Sequence, residues 1–239
     1  MRCVLTFMRQ WHKQKLIPVF PLQSVSPGGN RSVRQQGRPY NHKEQTVFGD
    51  KFYKKLNKLM PWQQTVFALA LAERMYPNYH LFAEASGFGD GARFRHCLDV
   101  LWTYLTIKGS RVDLSAELES FEPLIPDPSR FESYGAYPAL DACVALGAAY
   151  NSVICRIGEE AMEASSASLG TVAGFAELLA ERDLSEEELY EHELVEAEME
   201  FQVALLEQVA QPREAETILA IRDLAAQDGV SNIGISLQD

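Results

Sequence analysis

The sequence has 239 residues, of which 46% are hydrophobic and 10% aromatic, enough to bury the core of one large domain or two small ones. Its formal net charge of −11 is unevenly distributed, because residues 1–60 carry twelve Lys and Arg against two acids, whereas residues 61–239 carry ten against thirty-one. The acidic body argues against general binding of phosphate backbones, and no apolar run approaches the ~18 residues needed to span a bilayer.

Residues 1–48 form a basic segment in which Pro and Gly recur closely and apolar residues show no period, a pattern typical of a disordered chain. Two prolines interrupt its apolar stretch LIPVFPL, which argues against a secretory signal. We interpret the segment as an extension upstream of the natural start, with a transit peptide and a nucleic-acid-binding tail as alternatives. The predicted organisation is a disordered basic extension over residues 1–48 and one helical domain over residues 49–239.

The apolar run Val66–Ala72 predicts a buried helix, because it leaves no polar face for solvent. Pro61 suits the first helical position, where its missing N–H is harmless. Pro77 disfavours helical geometry in the residue before it, so we expect this helix to end near Tyr76. The following HLFAEAS then predicts a short second helix.

The stretch Gly87–Gly91 (GFGDG) predicts a tight turn between two helices, with Asp90 as the N-cap of the second helix. It also has some similarity to phosphate-binding loops, since it leads into a helix N-terminus. However, it follows a helix rather than a strand and lacks the Lys of a Walker motif. We therefore favour the helix connection.

Local signals in the rest of the chain also predict helices. Asp113 is a candidate N-cap for LSAELESF, and Pro138 begins a second mostly apolar helix whose polar exception is Asp141. A capping box at Ser185–Glu188 starts a long acidic helical region, and residues 218–225 suit a last amphipathic helix. The clearest apolar stripe consists of Phe94, Cys97, Leu98, Leu101, Trp102 and Leu105. No segment alternates like a strand, so we predict an all-α fold, a single compact bundle of about seven to nine helices.

The four cysteines, at positions 3, 97, 143 and 155, include no Cys-x-x-Cys pair. The last three fall in apolar helical contexts, where reduced thiols behave as small core residues. Reduced cysteines are typical of cytosolic proteins, so we expect a cytoplasmic protein without disulfides.

Charged and hydroxyl groups collect where the two apolar helices reach polar sequence, and a charged group beside a buried helix must be paired or functional. One interpretation is a structural network in which Arg74 pairs with Asp141 and fixes how the two helices meet. The other is a binding site, to which we assign no catalytic residue. The candidate binding residues are Glu73, Arg74, Tyr76, Asn78, Tyr79, Asp90, Tyr137 and Asp141.

Other motifs do not predict a metal or cofactor site. His80 and Glu84 lie one helical turn apart, which is compatible with two metal ligands, but a solvated surface pair is the simpler explanation. The sequence has neither Glu-x-x-His nor His-Glu-x-x-His. The acidic run Asp183–Glu200 holds nine carboxylates and no Lys or Arg, typical of a solvated helix face, with a basic partner or divalent cations as alternatives. We expect no cofactor and no bound metal.

Four separated blocks of the sequence occur in a characteristic order: ERMYPNY (Glu73–Tyr79), GFGDG (Gly87–Gly91), YPALDACVAL (Tyr137–Leu146) and SNIG (Ser231–Gly234). With these blocks the chain resembles the YjaG-like bacterial family, domain of unknown function 416, from about Phe52 to the C-terminus. The resemblance implies a compact all-helical protein that starts near Phe52, and it implies no activity, cofactor or catalytic residue.

The function we predict is that of a cytoplasmic, non-enzymatic binding or regulatory protein, with a protein partner or small ligand at the candidate residues and self-association as a further option. The first alternative is an enzyme or small-ligand binder with a pocket at Glu73, Arg74 and Asp141, using a carboxylate as acid or base and Arg74 for an anionic group. The second is nucleic-acid contact through residues 1–48. We expect the body to bind neither nucleic acid nor a membrane.

Overall fold

The computed structural model describes residues 50–237, and this part of the chain forms nine α-helices. They are α1 (Asp50–Leu56), α2 (Pro61–Ser86), α3 (Gly91–Thr106), α4 (Leu114–Phe121), α5 (Ala136–Ile154), α6 (Glu160–Ala180), α7 (Glu186–Tyr190), α8 (Glu193–Val209) and α9 (Ala215–Ala226). Strands are absent from these residues, and only an isolated antiparallel bridge joins Val230 to Ser236. The predicted all-α bundle is confirmed, whereas the predicted extension over residues 1–48, with its cysteine, lies outside the described residues.

Helix α2 is the centre of the bundle. It packs against α3, α5, α6, α8 and α9, and every residue from Gln63 to Met75 is buried. Helix α5, its main neighbour, buries mostly Ala with Gly and Ser, and such small side chains let two helices approach closely. Both helices predicted to be buried therefore form the core. None of the helices in residues 50–237 combines the length and apolarity needed to cross a membrane.

Helix α2 does not end at Tyr76, so that prediction was wrong. It continues through Pro77 to Ser86. Proline removes one backbone hydrogen bond and costs about 3 kcal/mol inside a helix, but burying a large side chain contributes about 1.5–3 kcal/mol. Beyond the proline, Tyr79 and Phe82 are both buried, and the Tyr79 ring lies 4.6 Å from that of Phe94. Core packing therefore outweighs the local signal.

The glycine-rich stretch is the predicted connection between two helices. Gly87 adopts a left-handed conformation (φ 65°) at the C-terminus of α2, and the Asp90 carboxylate accepts a hydrogen bond from the Arg93 N–H at 2.9 Å. A Cβ atom on Gly89 would lie 2.5 Å from the Tyr79 hydroxyl oxygen, so this glycine allows Tyr79 to reach the turn. Asp90 is confirmed as the N-cap of α3.

Most other local predictions are also confirmed. The stripe from Phe94 to Leu105 is buried, Asp113 caps α4, and Ser185 and Glu188 form the capping box of α7. The acidic region is two helices rather than one, because the chain breaks before α8, where His192 Nδ1 accepts from the Leu194 N–H. Gly170 does not interrupt α6, although glycine is unfavourable inside a helix.

Candidate functional site

Glu73 points from α2 towards α3, where its carboxylate is fully paired. The Arg95 guanidinium donates to both carboxylate oxygens, at 2.7 Å for Nη2–Oε2, and the Trp102 indole Nε1 donates to Oε2 at 2.7 Å. Arg95 also contacts Asp99 at 3.0 Å, and Asp99 accepts from Arg222 of α9 at 2.6 Å. The Glu73 side chain is only 6% exposed. This ion-pair chain connects α2, α3 and α9.

Arg74 points away from Glu73, because consecutive residues are about 100° apart around a helix. Its Nε donates to Glu198 of α8 at 2.9 Å, its Nη1 donates to the Gln227 side chain, and its guanidinium lies 4.1 Å from the Phe201 ring centroid. The predicted pair between Arg74 and Asp141 was therefore wrong. The arginine is satisfied by an acid 124 residues later in the sequence.

Glu198 is the centre of a buried polar network that sequence reasoning missed. Its second carboxylate oxygen accepts from the Ser168 hydroxyl at 2.6 Å and from Gln202 Nε2 at 2.9 Å, and Gln202 in turn accepts from the Ser165 hydroxyl at 2.6 Å. All four side chains have an exposed fraction of 0%. One signal was present in the sequence, since Glu198 and Gln202 lie at helical spacing on the apolar stripe of α8.

Asn78 belongs to the same buried region. Its side-chain amide donates to Asn232 at 3.0 Å, and Asn232 donates to the Ser168 hydroxyl at 3.1 Å. Asn232 lies in the segment after α9, so this contact fixes the C-terminal segment to α2 and α6. Asn78 is 2% exposed, and its role in the described structure is to hold the chain together.

The two tyrosines of α2 differ in accessibility. The buried Tyr79 hydroxyl donates to the Leu124 carbonyl at 2.8 Å and accepts from the Asp90 N–H at 3.3 Å, and burial raises its pKa. Tyr76 is half-buried at the rim, with its hydroxyl 3.4 Å from His80 Nδ1, and burial raises its pKa also. Neither phenol is poised to act as a base, because both are neutral at physiological pH.

Tyr137 and Asp141 lie one turn apart on the outer side of α5, together with two further aromatic residues. The Tyr134 ring is 6.0 Å from Tyr137 and 6.3 Å from Phe175 of α6. The Thr171 hydroxyl donates to the Asp141 carboxylate at 2.9 Å. Desolvation nevertheless raises the pKa of Asp141 to about 7. We call Tyr134, Tyr137, Asp141 and Phe175 the aromatic-acid face.

The eight predicted site residues therefore do not form one cluster. Glu73, Arg74, Asn78 and Tyr79 are buried and hydrogen-bonded within the protein, Asp90 caps α3, and Tyr76 lies at the rim. Tyr137 is exposed and Asp141 is partly buried. Neighbouring side chains of a helix point in different directions, so the candidate residues of α2 are close in sequence without forming one site.

The structure shows no arrangement for a metal centre in the part of the chain it describes. No group of three or more His, Cys, Asp and Glu side chains is placed to hold a metal ion in residues 50–237. His80 and Glu84 form an exposed pair at 3.3 Å. The described cysteines 97, 143 and 155 are free thiols, and burial raises the pKa of Cys97 to about 11.

Comparison with known proteins agrees with this fold. The family model described as "Protein of unknown function (DUF416)" matches residues 51–236. The Escherichia coli K12 "Uncharacterized protein YjaG" is 41% identical over 187 residues, which is 77% of this chain and 95% of that protein, and an uncharacterised Haemophilus influenzae protein is 37% identical over the same shares. A crystal structure of a DUF416 family protein from Shewanella baltica superposes with a TM-score of 0.72 at 38% identity, covering 78% of this chain and 98% of that chain.

Proposed function

The chain belongs to the DUF416 family, and for this member we propose a non-enzymatic binding function in which the aromatic-acid face contacts the partner. The observation that carries the proposal is the Asp141 carboxyl group. It is partly buried on α5, one turn from the exposed Tyr137, and no Lys, Arg or His of residues 50–237 forms an ion pair with it. The buried charges Glu73 and Arg74 instead pair with Arg95 and Glu198 of the protein itself, which supports a structural role.

The chemistry of the face suits a cation. Aromatic rings attract Lys and Arg through their π electrons, contributing about 0.5–2 kcal/mol, and a carboxylate adds direct charge pairing. The strongly acidic body also attracts basic partners at long range. We therefore infer that the partner presents a Lys or Arg side chain, most simply on a basic protein segment. A second copy of this chain is the self-association option.

Binding at this face should depend on pH. The titratable neighbours of Asp141 are Tyr134 and Cys143, whose pKa values burial raises, and Glu177, a further carboxylate near Tyr134. Both the phenol and the thiol are then neutral at pH 7, so Asp141 is the group that changes charge there. A cationic partner binds the ionised carboxylate, so affinity should rise with pH.

Calorimetric titration of the full chain with a capped Gly-Lys-Gly-Lys-Gly peptide tests the proposal. We expect affinity to increase by up to about tenfold between pH 6 and pH 8 and to fall at least fivefold in Asp141→Asn and Tyr137→Ala. Asp223→Asn, an exposed site on α9, removes the same charge and should change affinity less than twofold. Equal weakening by both Asn variants would refute recognition at this face.

A cytoplasmic location is part of the proposal, and the free buried thiols support it. The alternative pocket at Glu73, Arg74 and Asp141 would require three groups that face different helices to open together. The nucleic-acid alternative depends on residues 1–48, outside the described residues, and stays a prediction. It is tested by measuring whether affinity for a DNA duplex falls steeply with salt and is lost on truncation.

A further inference from the structure

A second surface site lies at the other end of α5, where α2 begins and α3 ends. An open groove of about 310 Å³ occupies this end of the bundle. Four segments of the sequence line it. We call it the arginine groove and define it by Met60, Trp62, Tyr104, Val153, Arg156 and Arg213. The aromatic-acid face lies near the first turns of the same helix, so the two surfaces are separated by most of its length of ~28 Å.

Much of the lining of the arginine groove is apolar. Trp62, Tyr104 and Val153 supply ring and methyl surface. Two of its three hydroxyl groups are already satisfied, because Ser152 donates to Thr65 at 2.7 Å and Thr65 donates to the Pro61 carbonyl at 3.0 Å. The hydroxyl groups of Ser152 and Thr65 therefore need no partner from a ligand, and a flat apolar group suits the rings and methyl groups of the lining.

The lining of the groove includes two arginines that no acid of residues 50–237 neutralises. Neither Arg156 nor Arg213 forms an ion pair with any acid in the described part of the chain, although residues 61–239 hold thirty-one acids. The Arg213 guanidinium lies 5.7 Å from the Trp62 ring centroid. Arg156 Nε donates to the Val153 carbonyl at 3.2 Å, which leaves its terminal N–H groups available.

Arg156 occupies a backbone position that normally favours glycine. It follows the C-cap of α5 with φ 54°, in the left-handed region, which is unfavourable for a residue with a Cβ. The loop is held firmly, because the buried Glu160 carboxylate accepts from the Ile157 and Gly158 N–H groups at 2.7 Å each, and Gln64 donates to the Gly158 carbonyl at 3.1 Å. Strained backbone fixed in this way occurs preferentially at functional sites.

We propose that the arginine groove binds a small organic anion with a flat apolar body. The carboxylate or phosphate of the ligand lies between Arg156 and Arg213, and its ring stacks on Trp62 and Tyr104. Guanidinium groups match both anions with paired hydrogen bonds, and the volume of the groove is at the lower end of the range for small-molecule pockets. This inference depends on the cavity and its charges, and it is independent of the aromatic-acid face.

A purely structural explanation is also available for each arginine. Arg156 compensates the C-terminal carbonyls of α5, and Arg213 covers Trp62. The substitution Arg156→Gly separates the two roles, since glycine suits φ 54° and relieves the backbone strain while removing the guanidinium. A structural role predicts a change in stability without any change in anion binding.

To test the proposal, 2-naphthoate and 2-naphthyl phosphate are each titrated into the full chain at constant salt, and binding is measured by calorimetry. We expect at least one of the two to bind, and its affinity to fall at least tenfold in Arg156→Gly and in Arg213→Gln. Trp62→Leu should also weaken binding, by at least threefold. Arg130→Gln is the matched control at the opposite end of α5, and Asp141→Asn isolates the aromatic-acid face; both should change affinity less than twofold.

Several results would overturn the inference. Neutral 2-naphthamide binding as tightly as 2-naphthoate would remove the anion requirement, and succinate binding equally well would remove the flat apolar body. Loss of affinity in Arg130→Gln as large as in Arg156→Gly would assign the anion to general charge, including that of residues 1–48. Binding of an acidic peptide without either naphthyl probe would identify a different occupant.

Discussion

The charged side chains of the interior part of α2 are paired within the protein, whereas two charged side chains near the ends of α5 have no ion-pair partner in residues 50–237. Inside, Glu73 and Arg74 each find a buried or half-buried partner, and serine, glutamine and tryptophan side chains satisfy the remaining oxygens. Near the two ends of α5, the partly buried Asp141 and the exposed Arg156 have no ion-pair partner in residues 50–237. Paired charge thus holds helices in register, whereas charge that the fold leaves unpaired is available to a ligand.

We expect the largest loss of stability when the buried ion pair between Arg74 and Glu198 is broken. Glu198→Ala should lower the free energy of unfolding by about 3–5 kcal/mol, because it leaves the Arg74 charge buried and unpaired. Urea denaturation followed by circular dichroism measures the loss. Glu196→Ala, an exposed position on the same helix, is the control and should cost less than about 1 kcal/mol.

A second arm of that experiment separates the pair from its surroundings. Arg74→Met combined with Glu198→Met should cost clearly less than the sum of the two single substitutions, because both charges leave the interior together. Simple additivity would contradict the ion pair as the source of the stability, and equal losses at positions 196 and 198 would contradict the buried network itself.

Glu73→Gln should cost less than the loss of Glu198. Its partner Arg95 is 26% exposed and keeps its contact with Asp99, so the orphaned guanidinium remains partly hydrated. We expect a loss of about 1.5–3 kcal/mol, with Trp102 emission in urea titrations as the readout. A cycle with Arg95→Ala should show coupling between the two positions, and its absence would show that the contact contributes nothing.

Local rules predicted the elements well and the charge partners poorly. The stripe on α3 and the caps at Asp90, Asp113 and Ser185 depend on residues within one helical turn, so the sequence carries them directly. The partner of Arg74 is one of nine similar carboxylates in residues 183–200. Which of them turns inward depends on how α8 packs, a tertiary property that no local pattern contains.

The surface sites follow the same logic. The arginine groove is formed by segments around positions 60–65, 104, 152–156 and 213. Because these segments are far apart in the sequence, no single stretch predicts the groove. Arg156 is the residue that comes nearest to a sequence signal for the groove. It occupies the left-handed position after α5, where glycine is usual, and the next glycine is Gly158. Tyr137 and Asp141 were predicted as site residues, and their role in binding stays a prediction.

The unpaired Asp141 should make the free energy of unfolding depend on pH. Its pKa of about 7 in the folded state lies above the usual value, so the folded protein binds more protons and loses stability as pH rises from about 4 to 7. Asp141→Asn removes this term and should be more stable than the wild type by about 1–2 kcal/mol at pH 8, after allowance for partial exposure.

Urea denaturation at pH 5 and pH 8 measures the difference for Asp141→Asn. The advantage of the Asn variant should largely disappear at pH 5, where the wild-type carboxyl group is protonated in the folded state. An advantage of the same size at both pH values would show that the carboxyl does not titrate near neutrality, and it would remove the pH dependence expected of partner binding.

The smallest effect concerns the other end of α5. Arg156→Ala and Arg156→Gly both lose the hydrogen bond to the Val153 carbonyl, but only glycine relieves the strain of the left-handed backbone. The Gly variant should therefore be the more stable by about 0.5–1 kcal/mol. Arg213→Ala and Arg213→Gly, a pair in the turn before α9, should differ by less, since Arg213 has no positive φ. Thermal unfolding of the four variants measures both differences.

If Arg156→Gly is no more stable than Arg156→Ala, the backbone at position 156 is unstrained. Arg156 would then be an ordinary surface residue, and the strain argument for a functional site at this position would be lost.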